Sequence, residues 1–232
     1  MNKKSTMAEI KGPKTRRKSS HNQEVTQAAS LRSIKTVQVA VGFRVKSGRA
    51  IAVVLAGPSG SPQVLARREI SLCDPAVPDS IQPYHAALEL PKRKASKVIE
   101  GLLKVVQRAT QASVKALLNE WRAPGYEVGC AGLVVGSLVD PASIRNDHIR
   151  AHALEGQLFR TAVEDALRAK GMSSLAIPER DVYSKGAAAL GRSEDELKRA
   201  ASELGRAVAG SWRADEKTAT LAAWMALKSS KG

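Results

Sequence analysis

Residues 37–55, "VQVAVGFRVKSGRAIAVVL", constrain the fold more than any other stretch of this chain. Two runs rich in Val, Ala and Ile flank a Lys-Ser-Gly-Arg turn. β-Branched side chains suit a pleated surface, and a glycine in a short basic turn closes an antiparallel pair. The pattern predicts strands over residues 37–45 and 50–56. One residue breaks the apolar texture of the first run. Arg44 is a cation among apolar neighbours, and if it shares their face it needs an anionic partner, either an internal acid such as Asp215 or Asp140 or a phosphate.

The breaker-rich "GPSGSP" then leads into "QVLARREISL", which alternates as an edge strand does, so the first three strands read as a meander. A Pro-rich irregular segment follows. From about residue 95 apolar residues recur at three- and four-residue steps, predicting a helix that ends near Trp121. "YEVGCAGLVVGS" is nearly continuously apolar at its centre, the signature of a strand covered on both faces. A polar loop precedes a helix over about 148–170 that Gly171 closes. "SSLAIPE" is a short fifth strand, and "RDVYSKGAAAL" is a short helix ended by Gly191. Ser193 and Glu196 form a capping-box pair for the next helix. A last helix spans about 213–228. The order β-β-β-α-β-α-β-α-α-α predicts a mixed sheet with helices on both faces.

Composition limits what such a domain does. The 232 residues carry a net charge of +15, with +7 in residues 1–36 and +8 in the remainder, so both parts are basic. A basic surface attracts polyanions, nucleic acid first. Aromatic residues make up 3% of the chain, which disfavours a base-stacking platform for single strands. Cys73 and Cys130 match no metal-binding spacing and read as buried thiols of a reducing compartment. No run is long and apolar enough to span a membrane, and the N-terminus lacks the apolar core of a secretory signal. A cytoplasmic location is therefore expected. Residues 1–36 read as a disordered basic tail, and residues 37–228 as a single domain.

Four stretches carry a family resemblance. "VGFRVKSGRAIAVVL" is similar to the opening Gly-Ile-Asp strand, turn and second strand of RuvC-type Holliday-junction resolvases. "CAGLVVGS" resembles their fourth strand. "AHALEGQLFRTAVEDALRAKG" with "SSLAIPERDVYSKGAAALGRSEDELKRAASEL" resembles the long helix, short strand and Lys-rich helix after it. "ADEKTATLAAWMAL" resembles their closing helix. The resemblance implies a ribonuclease H-like α/β fold with a five-stranded mixed sheet, an antiparallel meander joined to parallel strands. It also implies phosphodiester cleavage by two divalent metals about 4 Å apart, held by clustered carboxylates. Carried over residue by residue, the first-strand Asp becomes Arg44. The fourth-strand acid falls near Gly136 or Ser137. Asp215 matches one closing-helix acid, and Thr218 stands in place of the other. The resemblance therefore implies a degenerate domain with most catalytic acids absent.

The leading expectation is nucleic-acid binding, DNA or RNA undistinguished, through Arg44, Lys46, Arg49, Arg67, Arg68, Lys92, Arg93 and Lys94. A second is a divergent metal-dependent nuclease using Asp140, His148, His152, Glu155 and Asp215. His148, His152 and Glu155 fall on one helical face at i, i+4 and i+7, a spacing that suits a metal, and Asp140, His152, Glu155 and Asp215 are its candidate catalytic groups. A third is a structural or assembly subunit of a larger complex. No cofactor is expected, and a divalent metal only in an active nuclease. No membrane partner is expected. Glu179, Asp181, Asp215 and Glu216 are further acids that would face the strand ends, although first-turn acids also serve the helix dipole.

Overall fold

The computed structural model describes residue 1, residues 37–122 and residues 125–229. Apart from residue 1, the segment read as a basic tail lies outside the described residues. The hairpin forms as the sequence dictates: β1 (Val37–Lys46) and β2 (Arg49–Ala56) pair antiparallel around a turn in which Gly48 adopts φ of 73°. β3 (Gln63–Ser71) pairs antiparallel with β2. β4 (Tyr126–Val135) and β5 (Ser173–Pro178) add in parallel on the other side of β1. The sheet order is β3-β2-β1-β4-β5, which puts the hairpin's first strand at the centre.

Alternation along β1 and β2 divides the core in two. Val39, Val41, Phe43 and Val45, with Ala50, Ala52 and Val54, face α1 (Lys92–Arg122) and α2 (Asp147–Arg168), where Val106, Leu118, Phe159 and Val163 meet them. Ala40, Ile51, Val53 and Leu55 face α5 (Ala214–Ser229), on which α3 (Val182–Leu190) and α4 (Glu194–Leu204) pack in turn. Each fully buried Leu, Ile or Phe on either face contributes about 1.5–3 kcal/mol of burial free energy.

The helix boundaries follow from local chemistry. Asn146 caps α2 by accepting from Ile149 N–H at 2.9 Å. Ser193 and Glu196 make the expected capping box on α4. α1 begins three residues earlier than its apolar periodicity indicates, because its first turn, Lys92–Lys94, is wholly exposed and contributes nothing to the pattern. The Pro-rich segment before α1 holds two single-turn 3-10 helices, Pro78–Ile81 and His85–Ala87. Cys73 and Cys130 are not joined in a disulfide and are only partly buried, less enclosed than the sequence suggested. Cys130 lies where β4 meets α5, its thiol donating to the Ala226 carbonyl at 3.1 Å. Among the described residues, no helix is long and apolar enough to cross a membrane.

α5 lies unusually close to the sheet. Gly42 of β1 and Gly132 of β4 are register partners beneath it. A Cβ at Gly42 would stand 1.9 Å from the Ala219 carbonyl oxygen, and one at Gly132 would stand 2.4 Å from that of Ala222. The glycine pair and the alanines of α5 let backbone approach backbone, which fixes where the first turn of the helix falls relative to the end of β1.

Candidate functional site

That placement sets the acids of α5's first turn against the cations at the end of β1. Arg44 points to the α5 face and is 6% exposed. Its Nη2 donates to the Glu179 carboxylate, which follows β5, and its Nη1 donates to the Val45 carbonyl at 2.9 Å. Its Nε lies 3.8 Å from Asp215 Oδ1 and makes no hydrogen bond among the described residues. Lys46 Nζ donates to Asp215 Oδ2 at 2.7 Å.

Glu216, one residue on, is 3% exposed. Its Oε1 accepts from Arg67 Nη2 at 2.8 Å and Nε at 3.1 Å, and its Oε2 accepts from the Arg213 backbone N–H at 2.8 Å. Burial pushes the carboxyl up, but hydrogen bonds from Arg213 N–H and Arg67 outweigh it and hold Glu216 below the ordinary carboxylate range. Arg44, Lys46 and Arg67 thus meet Glu179, Asp215 and Glu216 at one end of the sheet, and the cluster is internally charge-compensated. Of the two acids suggested for Arg44, the structure supplies Asp215. Asp140 instead caps a 3-10 turn, accepting from Ala142 N–H at 2.9 Å.

The other basic residues divide into paired and unpaired. Arg49 reaches Glu69 at 3.3 Å, and Arg68 pairs with Glu120. Both side chains are nearly half exposed, so these pairs are weak and exchangeable. Lys92, Arg93 and Lys94 are exposed in the first turn of α1, which contains no acid, and have no ion pair among the described residues. Three cations at the positive end of a helix dipole disfavour the free helix and favour an external anion.

The α2 residues form a separate group on the opposite face. His148 and His152 sit one turn apart with their Nε2 atoms 3.3 Å from each other. Glu155 does not join them directly. It is fully buried, and its Oε1 accepts the His85 backbone N–H at 3.2 Å and meets His85 Nδ1 at 2.8 Å. His85 in turn packs against both helix histidines, with ring centroids 4.8 Å from His148 and 4.2 Å from His152. Asp140, His152, Glu155 and Asp215 therefore do not converge: His152 and Glu155 belong to the α2 face and Asp215 to the α5 face. Sequence reasoning missed His85. It stands alone in "QPYHAAL", and no spacing signal links it to a helix more than sixty residues later.

No protein-family model matches the sequence, and no curated protein matches it. Solved structures do. A structure of Thermus thermophilus RuvC aligns at 13% identity, and one of the same protein in complex with Holliday junction substrate at 14%. Each alignment covers 83% of this chain and 95% of that one, with a TM-score of 0.51. The fold is RuvC-like and ribonuclease H-like. A yeast mitochondrial Holliday junction resolvase aligns more loosely, at 10% identity and a TM-score of 0.42 over 82% of this chain and 78% of that one. The RuvC-like likeness is one of backbone path: a central β1, a meander on one side, parallel strands on the other and a closing helix across β1.

Proposed function

We propose that this chain is a RuvC-like domain that binds nucleic acid without cleaving it. The observation that carries the reading is Arg44, buried at the end of the central strand with its guanidinium between Glu179 and Asp215. Two-metal phosphodiester cleavage needs open carboxylates able to hold divalent cations about 4 Å apart. The residues at the strand ends do not fit such a pair. Glu179 and Asp215 are engaged by Arg44 and Lys46, and Glu216 is engaged by Arg67 and a backbone N–H. A guanidinium cannot be deprotonated to make room for a cation. Arg44 supplies in fixed form the positive charge that an ion would bring.

Binding then rests on charge left over after internal pairing. The chain carries +15, and Lys92, Arg93 and Lys94 present three uncompensated cations on one exposed turn. Arg49 and Arg68, in weak exposed pairs, are able to exchange carboxylate for phosphate.

A four-way DNA junction, a DNA duplex and an RNA duplex, each fluorescently labelled, test this by anisotropy across a salt titration, with parallel cleavage assays in magnesium, manganese and zinc. The expected result is saturable binding that falls steeply with salt and intact substrate with every ion. Cleavage that Asp215→Ala abolishes would overturn the non-catalytic reading. Affinity that stays flat between low and physiological salt would overturn the binding reading.

A further inference from the structure

The chain has four histidines, and three of them, His85, His148 and His152, come together from two distant segments. One ring nitrogen from each lies within 4.8 Å of the other two. We propose that these imidazoles form a binding site for a transition-metal ion of the zinc class, with Glu155 as the group that orients His85.

Glu155 Oε1 lies 2.8 Å from His85 Nδ1. A carboxylate accepts hydrogen bonds, so the His85 ring nitrogen facing it, Nδ1, carries the proton. In the neutral ring this leaves the lone pair on Nε2. That atom is buried and has no hydrogen-bond partner among the described residues. A buried acceptor with no donor is costly, whereas a metal ion is the partner such a lone pair suits. A ligating histidine usually gives its other N–H to a carboxylate or carbonyl, which fixes the tautomer and strengthens the donor nitrogen. Glu155 and His85 stand in that relation.

His148 and His152 supply the other half. They are one turn apart on α2, so their rings project from one face. Two nitrogens on a tetrahedral zinc ion, each about 2.0–2.1 Å from the metal, stand about 3.3 Å apart. The His148 and His152 Nε2 atoms are 3.3 Å apart. Both side chains are exposed, so their rings can turn toward His85 without disturbing the core. Neighbouring Arg150 does not compete for the space. It is drawn back to Asp147 and to the Ile144 carbonyl.

The donor set determines the class of ion. Three imidazoles favour zinc, copper, nickel or cobalt, whereas magnesium and calcium require oxygen ligands that are missing from this trio. Three protein ligands leave one tetrahedral position for water or an exogenous donor, and the exposure of His148 and His152 puts that position on the solvent side. The bound ion ties the segment between β3 and α1 to α2. This site is separate from the strand-end acids and does not depend on the nucleic-acid reading. It also differs from the set expected by spacing, because His85 takes the place of Glu155 as the third ligand.

Isothermal titration of tag-free, chelator-stripped full chain with zinc chloride tests the proposal. One equivalent is expected to bind in the micromolar range or tighter, with a rise in melting temperature. Cobalt(II) is expected to give the intense visible bands of four-coordinate geometry. His148→Ala and His152→Ala change exposed residues, so the fold survives, and each is expected to abolish one-to-one binding and the thermal shift. His21→Ala is expected to change neither. Glu155→Gln is expected to weaken binding about 10–100-fold while keeping the stoichiometry. Absence of a saturable equivalent in the wild type, or binding unchanged in the His148→Ala/His152→Ala double variant, would overturn the site.

Discussion

Lys46 and Asp215 are joined end to end, Nζ to Oδ2 at 2.7 Å, and they fasten the first strand of the sheet to the first turn of its closing helix. Arg44 shares the same carboxylate from the buried side. The pair shows how the strand ends are organised: cations on β1 and β3, acids on α5 and after β5, with Glu179, Asp215 and Glu216 each engaged by a cation.

Removing Arg44 separates loss of charge from loss of volume. Arg44→Ala opens a cavity and takes a shared cation from Glu179 and Asp215. Glu179 is partly exposed and Asp215 keeps Lys46, so the cost falls below the about 3–5 kcal/mol of a fully buried pair. Arg44→Met also leaves the two acids without that cation, but it fills the space with apolar atoms and so avoids the cavity part of the cost. Urea denaturation is expected to show a clearly lower midpoint for Arg44→Ala than for Arg44→Met.

Arg44→Asp tests the loss of chemistry directly. It would place a third carboxylate beside Glu179 and Asp215, and like charges would destabilise the metal-free protein at neutral pH. Manganese is expected to restore part of the lost melting temperature in this variant and to leave the wild type unchanged, since an ion that binds only the folded state stabilises it by mass action.

Glu216 predicts an acid limb in stability. Its folded pKa is lowered from the ordinary value of 4.5, so its contribution is complete above that value and fades as pH falls through the lower folded pKa. Glu216→Gln cannot titrate. Thermal melts from neutral pH downward are expected to show the wild type losing its advantage over Glu216→Gln below the usual carboxylate range.

Lys92→Ala, Arg93→Ala and Lys94→Ala combined are expected to weaken binding to every nucleic-acid sequence alike. Each lost phosphate contact lowers the slope of log affinity against log salt by about 0.9 on duplex DNA. Arg67→Ala, whose side chain is held by Glu216, is expected to lower stability more than the salt slope.

The elements that the sequence reveals are those with local signals. The Ser193–Glu196 capping box, the Val-rich hairpin and the Gly191 stop each depend on residues a few positions apart, and each is found where its signal lies. The site was harder to read. Arg44 meets Glu179 across 135 positions, and His85 meets Glu155 across 70. No spacing rule reaches that far, so Arg44's need for an acid was evident while the identity of one of its two acids was not. The His148/His152 pair was legible as one helical face. That Glu155 points inward from the same helix was not, because i+7 leaves a residue on the helix face but does not say what that face meets.

The glycine seat beneath α5 has a consequence for how the molecule is made. Gly42 is translated among the first residues of the domain, and the helix that covers it is translated more than 170 residues later. Until then the groove over β1 and β4 stands open, and no earlier helix is made to lie that close. A ribosome that stalls before α5 would release a sheet with one bare face, a ready target for quality-control proteases. Only a chain extended through α5 can therefore bury Gly42 and the apolar residues of that face.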